Sequence, residues 1–223
     1  VRTEERKTGR WRRTGAQTGP RFGMIAREGV PFVIAPLMAG AALIWLGMGL
    51  AGGVCLVLSG AMAFFFRDPE RHPPREAGVI VAPADGKVVK VERGADGTVV
   101  SIFLSLFDVH INRAPIAGVV TDVSYRPGRF MIATRDEASE ANEQNRLTIE
   151  GEGVRVVCKQ IAGVVARRIV CWKRAGDRVE RGERIGLIRF GSRTELVLPA
   201  AVEIEISVGA RVRGGETVIG RLK

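Results

Sequence analysis

Three side chains in this sequence are candidates for chemistry: a hydroxyl, an imidazole and a carboxylate. The hydroxyl is Ser192, in Phe190-Gly191-Ser192-Arg193, the only Gly-Ser dipeptide in a chain with 28 glycines. Taken alone the dipeptide reads as a turn. It is not a G-x-S-x-G nucleophile elbow, because Thr194 stands where the last glycine would be. The imidazole is His110, in Asp108-Val109-His110-Ile111-Asn112-Arg113-Ala114-Pro115, directly after an apolar stretch. An imidazole titrates near pH 6.5 and can move a proton either way near neutrality. A histidine in a core is also commonly structural, but this one falls where a rigid element meets a loop. The carboxylate is Asp85, in Pro83-Ala84-Asp85-Gly86, where the plain reading is a turn aspartate. His72 sits in a proline-rich linker and is expected to be exposed and inert. Two histidines and three cysteines (Cys55, Cys158, Cys171), with no C-x-x-C pair, give neither a zinc-site pattern nor a disulfide framework. No metal is expected, and the cysteine usage suits a reducing compartment.

The elements that must position these residues fall into three parts. Residues 1–29 are polar and rich in arginine and read as a disordered tail, with Met24 as a candidate start. From Val30 to Phe66 no residue is charged. That is too long for one straight span of roughly 20 residues and suits two short helices. Residues 30–66 are therefore expected to form a membrane-associated helical hairpin, with arms near 33–50 and 54–66 and the turn at Gly52-Gly53. Arginines flank both ends, which places both on the cytoplasmic face of the cell membrane. Prolines 69, 73 and 74 then end any helix.

Residues 67–223 read as mainly β. Val79–Pro83 and Lys87–Glu92 flank a hairpin-like turn at Ala84-Asp85-Gly86, Val99–Phe107 is an apolar strand, and Ile116–Tyr125 is another. Thr134–Arg146 reads as loop or helix. A near-repeat, G-x-R-V-x-x-G-E, occurs at Gly176–Glu183 and again 33 residues later at Gly209–Glu216, each copy leading into a strand. Glycine at both ends of the unit supplies turns with positive φ. The expected fold is a small β-sandwich or barrel related to lipoyl-like hybrid folds. That pattern specifies architecture rather than activity, and a non-enzymatic membrane adaptor shares it. The formal charge of +10 calls for an anionic partner. With only 6% aromatic residues to stack bases, a membrane surface fits better than nucleic acid.

Taken in order, several blocks resemble the short form of the phosphatidylserine decarboxylase family. They are Phe64-Phe65-Phe66-Arg67-Asp68-Pro69, Ala82–Lys87, Asp108–Pro115, Asn142-Glu143-Gln144-Asn145, Ile161-Ala162-Gly163 with Ala166–Ile169, and Phe190–Arg193. The resemblance covers roughly residues 30–200. It implies self-cleavage between Gly191 and Ser192 into a β chain (1–191) and an α chain (192–223). Ser192 would attack the Gly191 carbonyl and then leave by elimination, becoming a covalent pyruvoyl group. That ketone would form a Schiff base with phosphatidylserine and act as the electron sink for loss of CO₂, yielding phosphatidylethanolamine. A different serine-headed lipid is an alternative substrate. The resemblance implies an acid–base role for His110 and a role in self-cleavage for Asp85. Long-form relatives resemble H-x-x-H where this chain has His110 and then Arg113. Either His110 serves both steps, or Asp85 and Arg113 share the cleavage role. Arg113, Asn142 and Asn145 are further candidates for lining the site. Anionic lipids are the expected surface partners, and a homo-oligomer is compatible with the sequence.

Overall fold

The computed structural model describes residues 21–22, 24–129, 141–163, 168–189 and 192–223. Two short strands, β1 (Arg21–Phe22) and β2 (Ile25–Ala26), lead through a 3₁₀ turn into helices α1 (Val30–Trp45) and α2 (Gly49–Phe65). The strands that follow are β3 (Val79–Val81), β4 (Gly86–Gly94), β5 (Gly97–Leu104), β6 (Ile111–Arg113), β7 (Gly118–Arg126), β8 (Gln144–Gly151), β9 (Val154–Ile161) and β10 (Ile169–Cys171). The last six are β11 (Arg178–Val179), β12 (Arg184–Ile188), β13 (Ser192–Pro199), β14 (Val202–Ile204), β15 (Arg211–Val212) and β16 (Val218–Leu222).

The helical pair forms as expected, but its turn does not fall at Gly52-Gly53. The chain reverses at Leu46-Gly47-Met48, where Gly47 takes a φ of +79°. Gly52 is used differently. It lies within α2, and a Cβ there would stand 2.5 Å from Ile44 Cγ1 and 2.8 Å from the Gly40 carbonyl oxygen. Its missing side chain lets the two helices touch, the usual role of small residues between apolar helices. Ser59 Oγ adds a cross-helix bond to the Val33 carbonyl, at 2.8 Å. Outward, the pair exposes Ile34, Met38, Trp45, Leu50, Val54 and Val57, and one helix, Arg27–Trp45, is long and apolar enough to cross a membrane. This exposed apolar surface, without charges, points to membrane association. At ~1.5 Å per residue the 17 residues of α2 fall short of a ~30 Å hydrocarbon core.

The remainder is mainly β, as the sequence pattern requires. An eight-stranded antiparallel sheet, ordered β11-β7-β8-β9-β13-β5-β4-β15, curls into a half-barrel. Two three-stranded sheets, β14-β16-β3 and β10-β12-β6, accompany it. The core lies between them. Val100, Ile102, Leu147, Ile149, Val156, Leu196 and Leu198 from the large sheet pack on Ile80, Ile185, Val202 and Ile219 from the small ones.

Two sequence expectations need correction here. Ala84-Asp85-Gly86 does not close a hairpin, because β3 pairs with β16 and β4 pairs with β5 and β15. The segment instead carries the chain from one sheet to another, and the hairpin turn lies between Gly94 and Gly97. Residues 144–146 belong to strand β8 rather than to a loop or helix, since β8 is held on both sides by β7 and β9. Residues 130–140 lie outside the described residues.

The near-repeat has a geometric basis. Gly176 and Gly209 have φ of +94° and +95°, and Gly182 and Gly215 have +77° and +82°. Each copy lays its Arg-Val pair beside an equivalent strand start: Val179 opposite Gly118, and Val212 opposite Gly86. Those partners form a second repeat, Ala82-Pro83-x-x-Gly86-x-Val88 and Ala114-Pro115-x-x-Gly118-x-Val120. Gly182 N donates to the Ala114 carbonyl and Gly215 N to the Ala82 carbonyl, both at 2.8 Å. The β domain is thus two-fold pseudosymmetric about the Gly182–Gly215 contact.

Helix contact at Gly52 is testable. Gly52→Val is expected to destabilise the detergent-solubilised chain by about 1–3 kcal/mol, the usual cost of overpacking. Gly53→Ala, which meets nothing within 4 Å, leaves it unchanged. Thermal unfolding of the two variants measures the difference.

Candidate active site

Ser192 opens strand β13, and the period of two along that strand sorts its side chains. Ser192, Thr194, Leu196 and Leu198 share one face, and Leu196 and Leu198 lie in the core. Arg193 and Glu195 share the other. There the two are 3.3 Å apart, Arg193 Nη2 donates to Ser101 Oγ, and Lys159 approaches Glu195 at 3.4 Å. Ser192 is therefore turned inward by its register, and it is fully buried. Gly191 lies outside the described residues.

His110 reaches the same place from the other side. Ile188, at the end of β12, donates its N–H to the His110 carbonyl at 3.3 Å. Four residues further on the chain has reached Ser192. Two residues after His110, Asn112 Nδ2 donates to Thr194 Oγ1 at 3.0 Å. Thr194 is itself two residues after Ser192. Both β6 and β13 run away from the 188–192 connection, so stepping back along each brings His110 and Ser192 to one end of the two sheets.

The protonation of His110 follows from its partner. Nδ1 lies 2.9 Å from the Asp108 carbonyl oxygen. A carbonyl only accepts, so Nδ1 carries the hydrogen and Nε2 holds the lone pair of the neutral ring. Burial pushes the imidazole down to about 4, and the nearby Arg67 pushes the same way, against the Asp108 bond and charge. At neutral pH His110 is an uncharged base. Among the described residues its buried Nε2 has no hydrogen-bond partner, and neither has Ser192 Oγ. Buried polar atoms are normally paired, and exceptions cluster where chemistry is done.

A chain of amides fixes this pair of strands. Asn145 Nδ2 donates to Gln160 Oε1 (2.9 Å), Gln160 Nε2 to Asn112 Oδ1 (2.8 Å), and Asn112 to Thr194. All four residues are buried. Asn145, a candidate lining residue, belongs to this ladder. Asn142 Nδ2 donates to the Ala162 carbonyl at 2.7 Å, and Ala162 packs with Ile188. Asn112, Gln160 and Thr194 were not singled out from the sequence. Two of them were legible, since each stands two residues beyond a chemical residue on a strand.

Arg113 has other work. Its guanidinium donates to the Gly182 carbonyl (3.0 Å), the Pro69 carbonyl (2.8 Å) and Asp68 Oδ1 (3.2 Å). Arg184 Nε reaches both oxygens of the same Asp68, at 2.8 and 2.6 Å. Burial and the charge of Arg184 bring the Arg113 guanidinium down to about 10, leaving it cationic at neutral pH. It fastens the linker after α2 to the pseudosymmetric centre.

Asp85 also has firm partners. Its Oδ2 accepts from Arg71 Nη2 at 2.7 Å, and its Oδ1 from Gly214 N at 2.8 Å. Burial raises its carboxyl above the usual range and outweighs Arg71, which pulls it down. Lys87 pairs with Phe103 and Phe103 with Arg193. Asp85 therefore sits at the Ser192 end of the sheet, beyond the intervening strand β5. Strands lie about 4.8 Å apart, so this places it roughly two strand spacings from Ser192.

A sheltered hydroxyl and a neutral imidazole beside an apolar helical pair can do acid–base and acyl-transfer chemistry away from bulk water. Comparison with known proteins identifies the family. A family model described as phosphatidylserine decarboxylase matches residues 58–220. A phosphatidylserine decarboxylase proenzyme from Symbiobacterium thermophilum is 50% identical over 207 residues, covering 89% of this chain and 96% of the relative. One from Magnetococcus marinus is 46% identical over 212 residues, covering 90% and 96%. The chain belongs to the phosphatidylserine decarboxylase family.

The Asp68 cluster yields a prediction. Asp68→Ala strands two buried guanidinium groups and is expected to cost about 3–5 kcal/mol. Chemical unfolding in detergent measures it, and a loss below 1 kcal/mol would show that the cluster does not hold the linker.

Proposed function

We propose that this chain is made as a proenzyme, cuts itself between Gly191 and Ser192, and decarboxylates phosphatidylserine to phosphatidylethanolamine. Ser192 carries the reading: it is a fully buried hydroxyl with no hydrogen-bond partner among the described residues, in a family whose relatives bear the name proenzyme.

The surroundings of Ser192 support self-cleavage. His110 Nε2 accepts the Ser192 Oγ proton, directly or through one water. Oγ bonds to the Gly191 carbonyl carbon, the C–N bond breaks, and the nitrogen of residue 192 takes a proton, leaving an ester. Loss of the Cα proton then breaks the Cβ–Oγ bond, and Gly191 departs as a carboxylate. The resulting enamine tautomerises, and water hydrolyses it to a pyruvoyl group with release of ammonia. The α chain then begins at position 192 within a β domain spanning 67–223. Asp85, with its raised carboxyl, assists this step through the charge network at that end of the sheet. Arg113 is committed to Asp68 and takes no proton.

The pyruvoyl group supplies a ketone that receives the substrate amine and the electrons freed with CO₂. The buried end of β13 suits it, because the ketone there is screened from water. His110 Nε2 takes a proton from the substrate ammonium as the amine condenses and returns it to the substrate Cα once CO₂ has left. Asn142 and Asn145 hold the walls. The hairpin of residues 30–66 lies in the cytoplasmic face of the cell membrane and keeps this site at headgroup height. The basic surface draws anionic lipid, at about 1 kcal/mol per cation near the bilayer.

Intact-mass measurement of wild type and Ser192→Ala tests the reading. Wild type is expected as two chains, 1–191 and 192–223, the smaller blocked by a ketone that reacts with hydroxylamine. Ser192→Ala stays whole, and His110→Gln is cut at least 10-fold more slowly. A folded wild-type chain that remains uncut would remove the proposal.

A further inference from the structure

The helical hairpin does more at the site than hold it near lipid. Phe65 is the last residue of α2 and is almost completely buried, although its helix exposes apolar side chains along most of its length. Its ring centroid lies 4.1 Å from that of His110, with 37° between the planes. That spacing leaves no room for water between the rings. Phe66 is fully buried beside it, 5.0 Å away edge-on, and stacks on Phe32 of α1 at 5.5 Å. Phe65 and Phe66 pack in one cluster with Val109, Ile111 and Leu187, which flank His110 and its partner strand. Among the described residues the one hydrogen bond of the imidazole is from Nδ1 to the Asp108 carbonyl.

We propose that Phe65 is a positioning residue for the acid–base step: its ring caps the His110 imidazole, so the apolar hairpin forms one wall of the site and sets when His110 is protonated. This rests on the reading of His110 as the acid–base group. An imidazolium needs water or an acceptor at both nitrogens. Phe65 closes one face, and the cluster around it keeps water from the rest. An aromatic face attracts a cation, but the loss of hydration is the larger effect for a group this buried. Charged groups around the ring are few. Asp108 acts from its own segment and favours the cation, while Arg67, two residues past Phe65, opposes it. Arg67 is held there by the Phe64 and Phe107 carbonyls, at 2.8 and 2.6 Å. Glu28, before α1, accepts from Trp172 Nε1, and Arg189, after β12, lies over the Phe32 ring at 5.2 Å. Ser192, from β13, is neutral. Thus the end of α2 supplies both the apolar cap and the opposing charge. A hairpin seated on the domain keeps His110 neutral at physiological pH, and a displaced one lets it take a proton.

The sign follows directly. His110 sits below its ordinary value, so removing the cap must move its titration upward, toward 6.5. The chain has only His72 and His110, so His72→Gln leaves one imidazole to follow. The test is an NMR titration of ¹⁵N-histidine-labelled full-length processed protein in detergent, with the pH profile of kcat/KM on phosphatidylserine beside it. Phe65→Ala is expected to raise the His110 midpoint by about one unit or more and to shift the acidic limb of the profile equally. Phe65→Leu, which keeps an apolar cover, stays close to wild type. Phe65→Val opens a smaller gap and is read in the same way if the alanine variant does not fold. An unchanged midpoint in Phe65→Ala or Phe65→Val would overturn the proposal. A midpoint that rises while the acidic limb stays fixed would uphold the cap and instead remove His110 from the chemistry.

Discussion

The site depends on one hydrogen bond between sheets, from Asn112 Nδ2 to Thr194 Oγ1. The strand bearing Ser192 belongs to the eight-stranded sheet and the strand after His110 to a three-stranded one. No backbone ladder joins β6 to β13, so side chains must set their relative position. Asn112 does so with both ends of its amide, giving to Thr194 and accepting from Gln160, which is itself held by Asn145. A buried network with every member paired is rigid, whereas a half-paired one destabilises the fold. Two residues before Asn112 and Thr194 lie His110 Nε2 and Ser192 Oγ, which have no hydrogen-bond partner among the described residues. The proposed reactive place lies at the ends of that paired frame.

A second set of buried contacts joins the helices to that frame. Asp68 holds Arg113 and Arg184, while its own N–H donates to the Met24 carbonyl. Through its backbone N–H and its carboxylate this one residue ties the start of the hairpin, its exit and the pseudosymmetric centre together. Removal of the charge from so buried a cluster is costly because both arginines lose the carboxylate that pairs with them. The aromatic residues at the end of α2 then close over His110. The apolar helices are thus part of the enzyme's interior at one end and exposed along the rest.

Much of this was written in the sequence, and the omissions have physical causes. The uncharged run from Val30 to Phe66 announced two helices, because few other structures use such a run. The position of its turn was misread because glycine serves two purposes: Gly47 bends the chain with a positive φ, while Gly52 admits a neighbouring helix. The G-x-R-V-x-x-G-E repeat was visible, and its glycines have the expected backbone. Its partner repeat, Ala-Pro-x-x-Gly-x-Val, was overlooked because its residues are common and only the pairing makes them equivalent. Ser192, His110 and Asp85 stand out by type and context, and the family resemblance supplies the roles proposed for them. Asn112, Gln160 and Thr194 do not, since uncharged polar residues acquire significance only when burial and register are known. Arg113 looked like a site residue by its place in the motif, yet its bonds go to the linker.

The central claim is that a group made from Ser192 drives decarboxylation of a serine-headed phospholipid. The most direct measurement supplies the purified, processed protein with vesicles of phosphatidylserine, labelled at the serine carboxyl, in phosphatidylcholine. Labelled CO₂ should be released in step with phosphatidylethanolamine, and Ser192→Ala should release none. Release by Ser192→Ala at the wild-type rate, or none from a folded and fully cut wild type, would contradict the account.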